Sequence, residues 1–291
     1  MIDNVRMLIG EVLQDVSDQI IEPIVMYGIT GHPNTSHRGT VTYKGMYKNL
    51  KIEATARGTI IQGSLHTLIH ESNHGDFTYS NLCQALEELS ELTSGATNTA
   101  RTTQMEFGVN LGDIYYDSWE AYKHKPFHPM IAKGKVYGKK GYQSQNNLKG
   151  YNKSLERKKQ NVNVEDGIYR IEKIITNMAH LRKRKEPISI YTLEDLLNPS
   201  ILMALRDDLI SSIGKVSFRE VIDLTSLSIS EKRIVACMLT DDVKQAIRSN
   251  HSRTSWQDQK VYKSILKAQK LDKKKELINR IIDEWNNLMK R

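Results

Sequence analysis

A tyrosine with a lysine two residues to either side, Lys149-Gly150-Tyr151-Asn152-Lys153, is the grouping in this sequence best suited to chemistry on a phosphate. The run from Asn147 to Lys153 has the character of a short strand. Alternation along it puts Asn147, Lys149, Tyr151 and Lys153 on one face. A phenol between two ammonium groups is poorly suited to an apolar core and well placed to meet an anion. The lysines would hold a phosphate and favour the phenolate, so Tyr151 could attack a DNA phosphodiester and become covalently joined to it. The plainer alternative is a half-buried strand tyrosine with a wet hydroxyl.

The charge distribution bears on that choice. The chain has 42 Lys+Arg against 34 Asp+Glu, a net of +8. Residues 123–185 alone hold 17 Lys/Arg and 4 Asp/Glu, a net of +13, which leaves −5 for the rest. Tyr151 lies inside this basic block, and such a concentration suits a polyanion partner, because each phosphate neutralised releases condensed counterions. Lys139, Lys140, Lys149 and Arg170 are the candidates for contact with a DNA backbone. A solvated surface and a basic loop at Arg182-Lys183-Arg184-Lys185 would give the same count without a partner.

Two further strands carry polar residues where a covered face would be apolar. Over 58–66, Ile60, Gln62, Ser64 and His66 share one face. Over 103–111, Met105, Phe107, Val109 and Leu111 complete an apolar face, and Gln104, Glu106, Gly108 and Asn110 lie opposite. A histidine and a glutamate on neighbouring strands can converge on Mg²⁺ or Mn²⁺. Such an ion would polarise a scissile phosphate. An open, solvated sheet face gives the same pattern with no metal.

The elements that must position these residues follow from periodicity and turn chemistry. Residues 1–26 fit either a helix (Ile2, Val5, Leu8, Ile9, Val12, Leu13) or a short strand (Val5, Met7, Ile9). His32 to Gly39 reads as a loop. Strands over 40–47, 50–56 and 58–66, with turns at Asn49 and Arg57-Gly58, form an antiparallel meander. After a polar loop at 70–76, Asp76 or Thr78 caps a helix running to Leu92. Residues 113–145, with Pro126 and Pro129, read as irregular, and strands over 146–152 and 167–175 follow. From Thr192 the pattern turns helical, over 192–213, 216–226, 230–248 and 256–289. The expected class is α+β: an antiparallel sheet with flanking helices in residues 1–188, then an all-helical portion in 189–291.

Composition bounds the rest. With 291 residues, 39% hydrophobic and 26% charged, the chain can bury a sizeable core. No apolar run approaches the roughly 20 residues that cross a bilayer. Asp3, Glu11, Asp15 and Asp18 interrupt any secretory-leader pattern. Cys83 and Cys237 lie far apart with no metal-ligand spacing, which suits buried free thiols in a reducing cytoplasm.

Several of these segments, taken in order, resemble the replication initiators of filamentous phages and related plasmids, the gene II protein group. These rolling-circle endonucleases are related to the nickases with a His-apolar-His motif (HUH). The resemblance spans roughly residues 1–200. Lys51-Ile52-Glu53-Ala54-Thr55 with Gln62-Gly63-Ser64-Leu65-His66 is similar to the family's central hairpin, and Gln104-Met105-Glu106-Phe107-Gly108-Val109 to its acidic strand. Leu148 to Glu156 resembles the segment bearing the nucleophilic tyrosine and a nearby lysine, and Tyr169-Arg170-Ile171-Glu172 the strand after it. Met1-Ile2-Asp3 is a minor part of the likeness.

The resemblance implies that Tyr151 nicks one strand at an origin, keeps the 5′ phosphate as a phosphotyrosine and leaves a 3′ hydroxyl for a host polymerase. Lys153, with Lys149, would contact the phosphate. His66 and Glu106 would bind Mg²⁺ or Mn²⁺, with Gln62 or Ser64 as a third ligand. The His-apolar-His pair is reduced to Ser64-Leu65-His66, so His70 or His74 is a further candidate. Tyr137, Tyr142 and Tyr169 compete for the nucleophile. The chain has no Walker loop, so a helicase would be a separate host protein. The partner would be single-stranded or supercoiled origin DNA, with no membrane. The C-terminal helices are candidates for packing on the catalytic domain, duplex contact or self-association. A transposase or mobilisation relaxase would use the same chemistry. A non-catalytic DNA-binding regulator and an RNA-binding protein with base-stacking tyrosines are the alternatives of other classes.

Overall fold

The computed structural model describes residues 1–10, 24–26, 29–35, 41–55, 58–159, 166–219, 222–240, 252–269 and 272–290, with residues 243, 246 and 249. Its frame is an eleven-stranded antiparallel sheet. In chain order the strands are β1 (Ile2–Ile9), β2 (Ile24–Met26), β3 (Ile29–Thr35), β4 (Val41–Tyr47), β5 (Leu50–Thr55), β6 (Gly58–Ser64), β7 (Arg101–Leu111), β8 (Trp119–Tyr122), β9 (Lys125–Pro126), β10 (His128–Ala132), β11 (Lys135–Tyr142), β12 (Asn146–Asn152), β13 (Tyr169–Ile175) and β14 (Val216–Phe218). Across the large sheet the order is β10-β11-β12-β13-β7-β1-β6-β5-β4-β3-β2. β14, β8 and β9 form a second sheet of three strands.

The N-terminal ambiguity resolves as a strand in Ile2–Ile9, where a bulge between Ile2 and Val5 shifts the alternation. Residues 11–23 lie outside the described residues. The strands expected over 40–47, 50–56, 103–111, 146–152 and 167–175 are present within one or two residues of those bounds. The tract from His32 is not wholly loop, since β3 pairs with β4 from His32 to Thr35.

Three other expectations are corrected. The strand from residue 58 stops at Ser64, whose hydroxyl accepts from the Thr67 amide at 3.0 Å and caps α1 (Leu65–His70). The tract 113–145 is strand-rich, because Pro126 and Pro129 fall in β9 and β10, both edge strands that tolerate a missing N–H. The segment expected to be helical from 216 opens as β14, paired with β8.

The other helices are α2 (Tyr79–Leu92), α3 (Lys153–Lys159), α4 (Ala179–Arg182), α5 (Pro199–Gly214), α6 (Ile229–Leu239), α7 (Ser252–Ala268) and α8 (Lys273–Lys290). Thr78 and Asn81 close a capping box on α2. Asn198 caps α5 with Pro199 at its first position, so that helix starts later than residue 192.

Val5, Met7, Ile61, Met105, Phe107 and Ile171 on one face of the sheet share a continuous core with Leu82 and Leu89 of α2, Leu205 and Leu209 of α5, and Ile281 and Trp285 of α8. Trp285 meets Phe107 edge to face at 6.4 Å. Cys83 and Cys237 are free thiols and only half-buried, less covered than their apolar settings suggest. Among the described residues no helix is long and apolar enough to cross a membrane.

Candidate active site

The opposite face of the sheet is polar, and its pairing register fixes which side chains meet. Gly138, Tyr151, Arg170 and Asn110 lie opposite one another on β11, β12, β13 and β7. The next row on this face is Lys140, Lys149, Glu172 and Gly108, and the next Tyr142, Asn147, Ile174 and Glu106. Close approach is required at the ends of these rows. A Cβ at Gly138 would sit 2.2 Å from that of Tyr151, and one at Gly108 would strike the Ile171 carbonyl.

Arg170 is 4% exposed and spends its guanidinium on protein partners. It donates to Asn110 Oδ1 at 2.6 Å, Asp3 Oδ2 at 3.0 Å, Glu172 Oε1 at 3.3 Å and the Asn73 carbonyl. Lys149 ion-pairs with Glu172 at 2.5 Å and with Glu106 at 3.3 Å. Ser64 donates to the other oxygen of Asp3 at 2.5 Å, which ties β6 to the group.

Burial alone would raise the Glu172 carboxyl, but Lys149, Arg170 and Lys153 outweigh it and bring the group to about 2. Burial likewise works against the charge of Lys149, and Glu172, Tyr151 and Glu106 together hold that ammonium well above the usual lysine value. Burial, with Glu172 and Asp3 and against Lys149, keeps Glu106 above the ordinary carboxylate range.

Tyr151 is 1% exposed, so the phenol is not on an open face as expected. Its ring lies 5.4 Å from Lys149 Nζ, 5.6 Å from Lys153 Nζ and 6.2 Å from the Tyr137 ring. Burial is possible because the flanking cations are neutralised locally, Lys149 by Glu172 and Lys153 by Glu156 at 2.6 Å. Burial and the charge of Glu172 raise the phenol well above its usual value, against Lys149 and Arg170. Lys149 acts in the expected direction, but in this closed arrangement burial and Glu172 outweigh it and the phenol keeps its proton. Lys153 is 3% exposed and opens α3 rather than ending the strand. Burial and Arg170 lower it, against Glu156.

Of the other expected contacts, Lys140 shares the face of Tyr151, whereas Lys139 does not. Its ammonium donates to the carbonyls of Asp117 and Trp119, at 2.8 and 2.7 Å, on the far side of β11.

The expected metal ligands are not brought together. His66 is in α1, 2% exposed, with its ring 5.1 Å from Phe77 and 5.3 Å from His70. Burial, Arg170 and the N-terminal ammonium lower it to about 2, so it is a neutral imidazole. Gln62 is exposed on β6, in register with Arg6 and Lys51. Glu106 is held by Lys149, and Ser64 by Asp3. Among the described residues no three His, Cys, Asp or Glu side chains converge as a metal-ligand group. Where a divalent ion would neutralise Asp3, Glu106 and Glu172, Arg170 and Lys149 already do so, and this donor set does not fit the ion as it stands. His66 instead lines a small cleft with Asp3, Asp76, Asn110, Arg170 and Glu172.

Glu172 and Asp3 are the members that residue patterning left without a role. Alternation in Arg170-Ile171-Glu172 places the glutamate on the arginine's face and was a readable signal. Asp3 carried none.

No protein-family model matches this chain, and no curated protein matches it. Among solved structures, it is similar to that of a rolling circle replication initiator protein from Geobacillus stearothermophilus. The TM-score is 0.40 at 14% sequence identity, covering 80% of this chain and 90% of that one.

Proposed function

We propose that this chain is a tyrosine-dependent DNA strand-nicking and strand-transfer protein that initiates rolling-circle replication of a phage or plasmid in a bacterial cytoplasm. The observation that carries the reading is one strand-borne phenol enclosed by Lys149, Lys153 and Arg170, on a face that continues through Lys140 into the basic block. The phenol oxygen forms a bond to phosphorus as the bond from phosphorus to the 3′ oxygen breaks. The proton lost by the phenol is balanced by the one the departing 3′ oxygen gains as a hydroxyl. Attack by a 3′ hydroxyl on the phosphotyrosine reverses the step and rejoins a strand. The nearby cations oppose the charge that builds on the phosphoryl oxygens. Because Tyr151 is covered, its hydroxyl must be uncovered before substrate reaches it. The phenol then loses the burial that is the main hold on its proton.

The burial of Tyr151 favours a second reading, a DNA-binding regulator in which this tyrosine only packs. A supercoiled plasmid carrying the element's origin, with Mg²⁺ or Mn²⁺ in the buffer, separates the two. The enzyme yields relaxed circles whose 3′ end a polymerase extends and whose 5′ end stays blocked by protein. The regulator binds the origin and leaves the plasmid supercoiled.

A further inference from the structure

The β10–β11 hairpin at the sheet edge carries a group of side chains that the nicking step leaves unused. Tyr142 is 47% exposed. Its ring lies 5.3 Å from the exposed His128 imidazole, and Lys140 Nζ sits 4.8 Å from its centroid. His128 is opposite Lys140, and Lys140 is opposite Lys149. Tyr142, His128 and Lys140 thus extend the face of Lys149 and Tyr151 outward to the rim. At the other end of the hairpin, Lys133 in the turn and Lys135 at the start of β11 are exposed, and the chain has no Asp or Glu from Ala121 to Leu155.

We infer that this rim is a docking surface for single-stranded DNA flanking the bond at Tyr151. Tyr142 and His128 stack on nucleobases, and Lys140 follows the phosphates. A duplex hides its base faces in its own stack, so paired exposed rings select a single strand. Tyr142 is opposite Asn147, four residues along β12 from Tyr151, or about 13 Å at strand rise. That distance is about four stacked nucleotides, so one strand can occupy both places. The surface rests on the proposed function only for the position of the scissile bond.

The test is fluorescence anisotropy of a short labelled oligo-dT with the full chain carrying Tyr151→Phe, so that no covalent step contributes. Tyr142→Ala in that background is expected to raise Kd roughly tenfold. Tyr142→Trp should keep the affinity, with its indole fluorescence quenched on binding. An unchanged Kd in both Tyr142→Ala and the double variant His128→Ala/Tyr142→Ala overturns the inference. Tenfold tighter binding of duplex, or of oligo-U RNA, than of oligo-dT also overturns it and assigns a different partner. If wild type forms no adduct while these binding effects persist, the nicking reading fails and the docking surface stands. An adduct with no effect at Tyr142 gives the reverse.

Discussion

Lys149 and Glu172 meet at 2.5 Å across β12 and β13, and Arg170 reaches the same carboxylate at 3.3 Å from its own strand. One buried glutamate therefore holds two cations beside the phenol of Tyr151. Glu172 is 1% exposed, so removing it leaves both cations short of a partner where water cannot compensate.

Glu172→Ala should accordingly lower the free energy of unfolding by about 3–5 kcal/mol, the range for breaking a buried ion pair. Urea denaturation at neutral pH measures this. A double variant, Lys149→Met with Glu172→Met, should recover part of the loss, because the uncompensated ammonium is removed with its partner. Wild-type stability in Glu172→Ala would mean that the cations are held by something else.

Stability should fall with acid in two stages. His66 is held at about 2, so below the ordinary 6.5 the unfolded chain binds a proton that the folded chain refuses. Stability therefore drops as pH falls below 6.5, by up to about 1.4 kcal/mol per pH unit. Glu172 is lowered to about 2 from 4.5, so its contribution is complete above 4.5 and is lost as pH falls toward 2. Unfolding free energies across this range should show a decline that steepens below 4.5, and His66→Gln should flatten the part above 4.5 and leave only the Glu172 decline below it.

Gly150 has a packing role that a substitution exposes. A Cβ there would lie 2.5 and 2.7 Å from ring atoms of the buried Trp119. Gly150→Ala should cost about 1–3 kcal/mol and shift tryptophan emission as the ring is displaced. Gly214→Ala, where an added Cβ meets nothing within 4 Å, should be neutral or slightly stabilising by the same melts.

The sheet was legible wherever burial alternates cleanly along a strand. Met105, Phe107 and Val109 announce β7, and Leu148 with Tyr151 lies in a strand whose bounds periodicity finds. Legibility failed where local chemistry overrides the period. At Ser64 the alternation Ile60, Gln62, Ser64 runs on to His66, yet the serine hydroxyl caps a helix and turns the imidazole inward. Helical spacing of Leu65 and Leu68 was the available sign. Pro126 and Pro129 disguise strands because proline excludes only interior positions, and edge position is a tertiary fact. The burial of Tyr151 was hidden for a related reason. Its lysines look like free charge until β13 supplies Glu172 and α3 supplies Glu156.

The most direct measurement of the central claim is intact-mass analysis of the full chain after incubation with single-stranded origin DNA and Mg²⁺ or Mn²⁺. Wild type is expected to gain the mass of the strand 3′ of the nick, joined through its 5′ phosphate and mapped by peptide to Tyr151. Tyr151→Phe is expected to gain nothing while still binding the oligonucleotide. The same adduct on Tyr151→Phe, or none on wild type despite tight binding, would contradict the assignment of Tyr151 as the nucleophile.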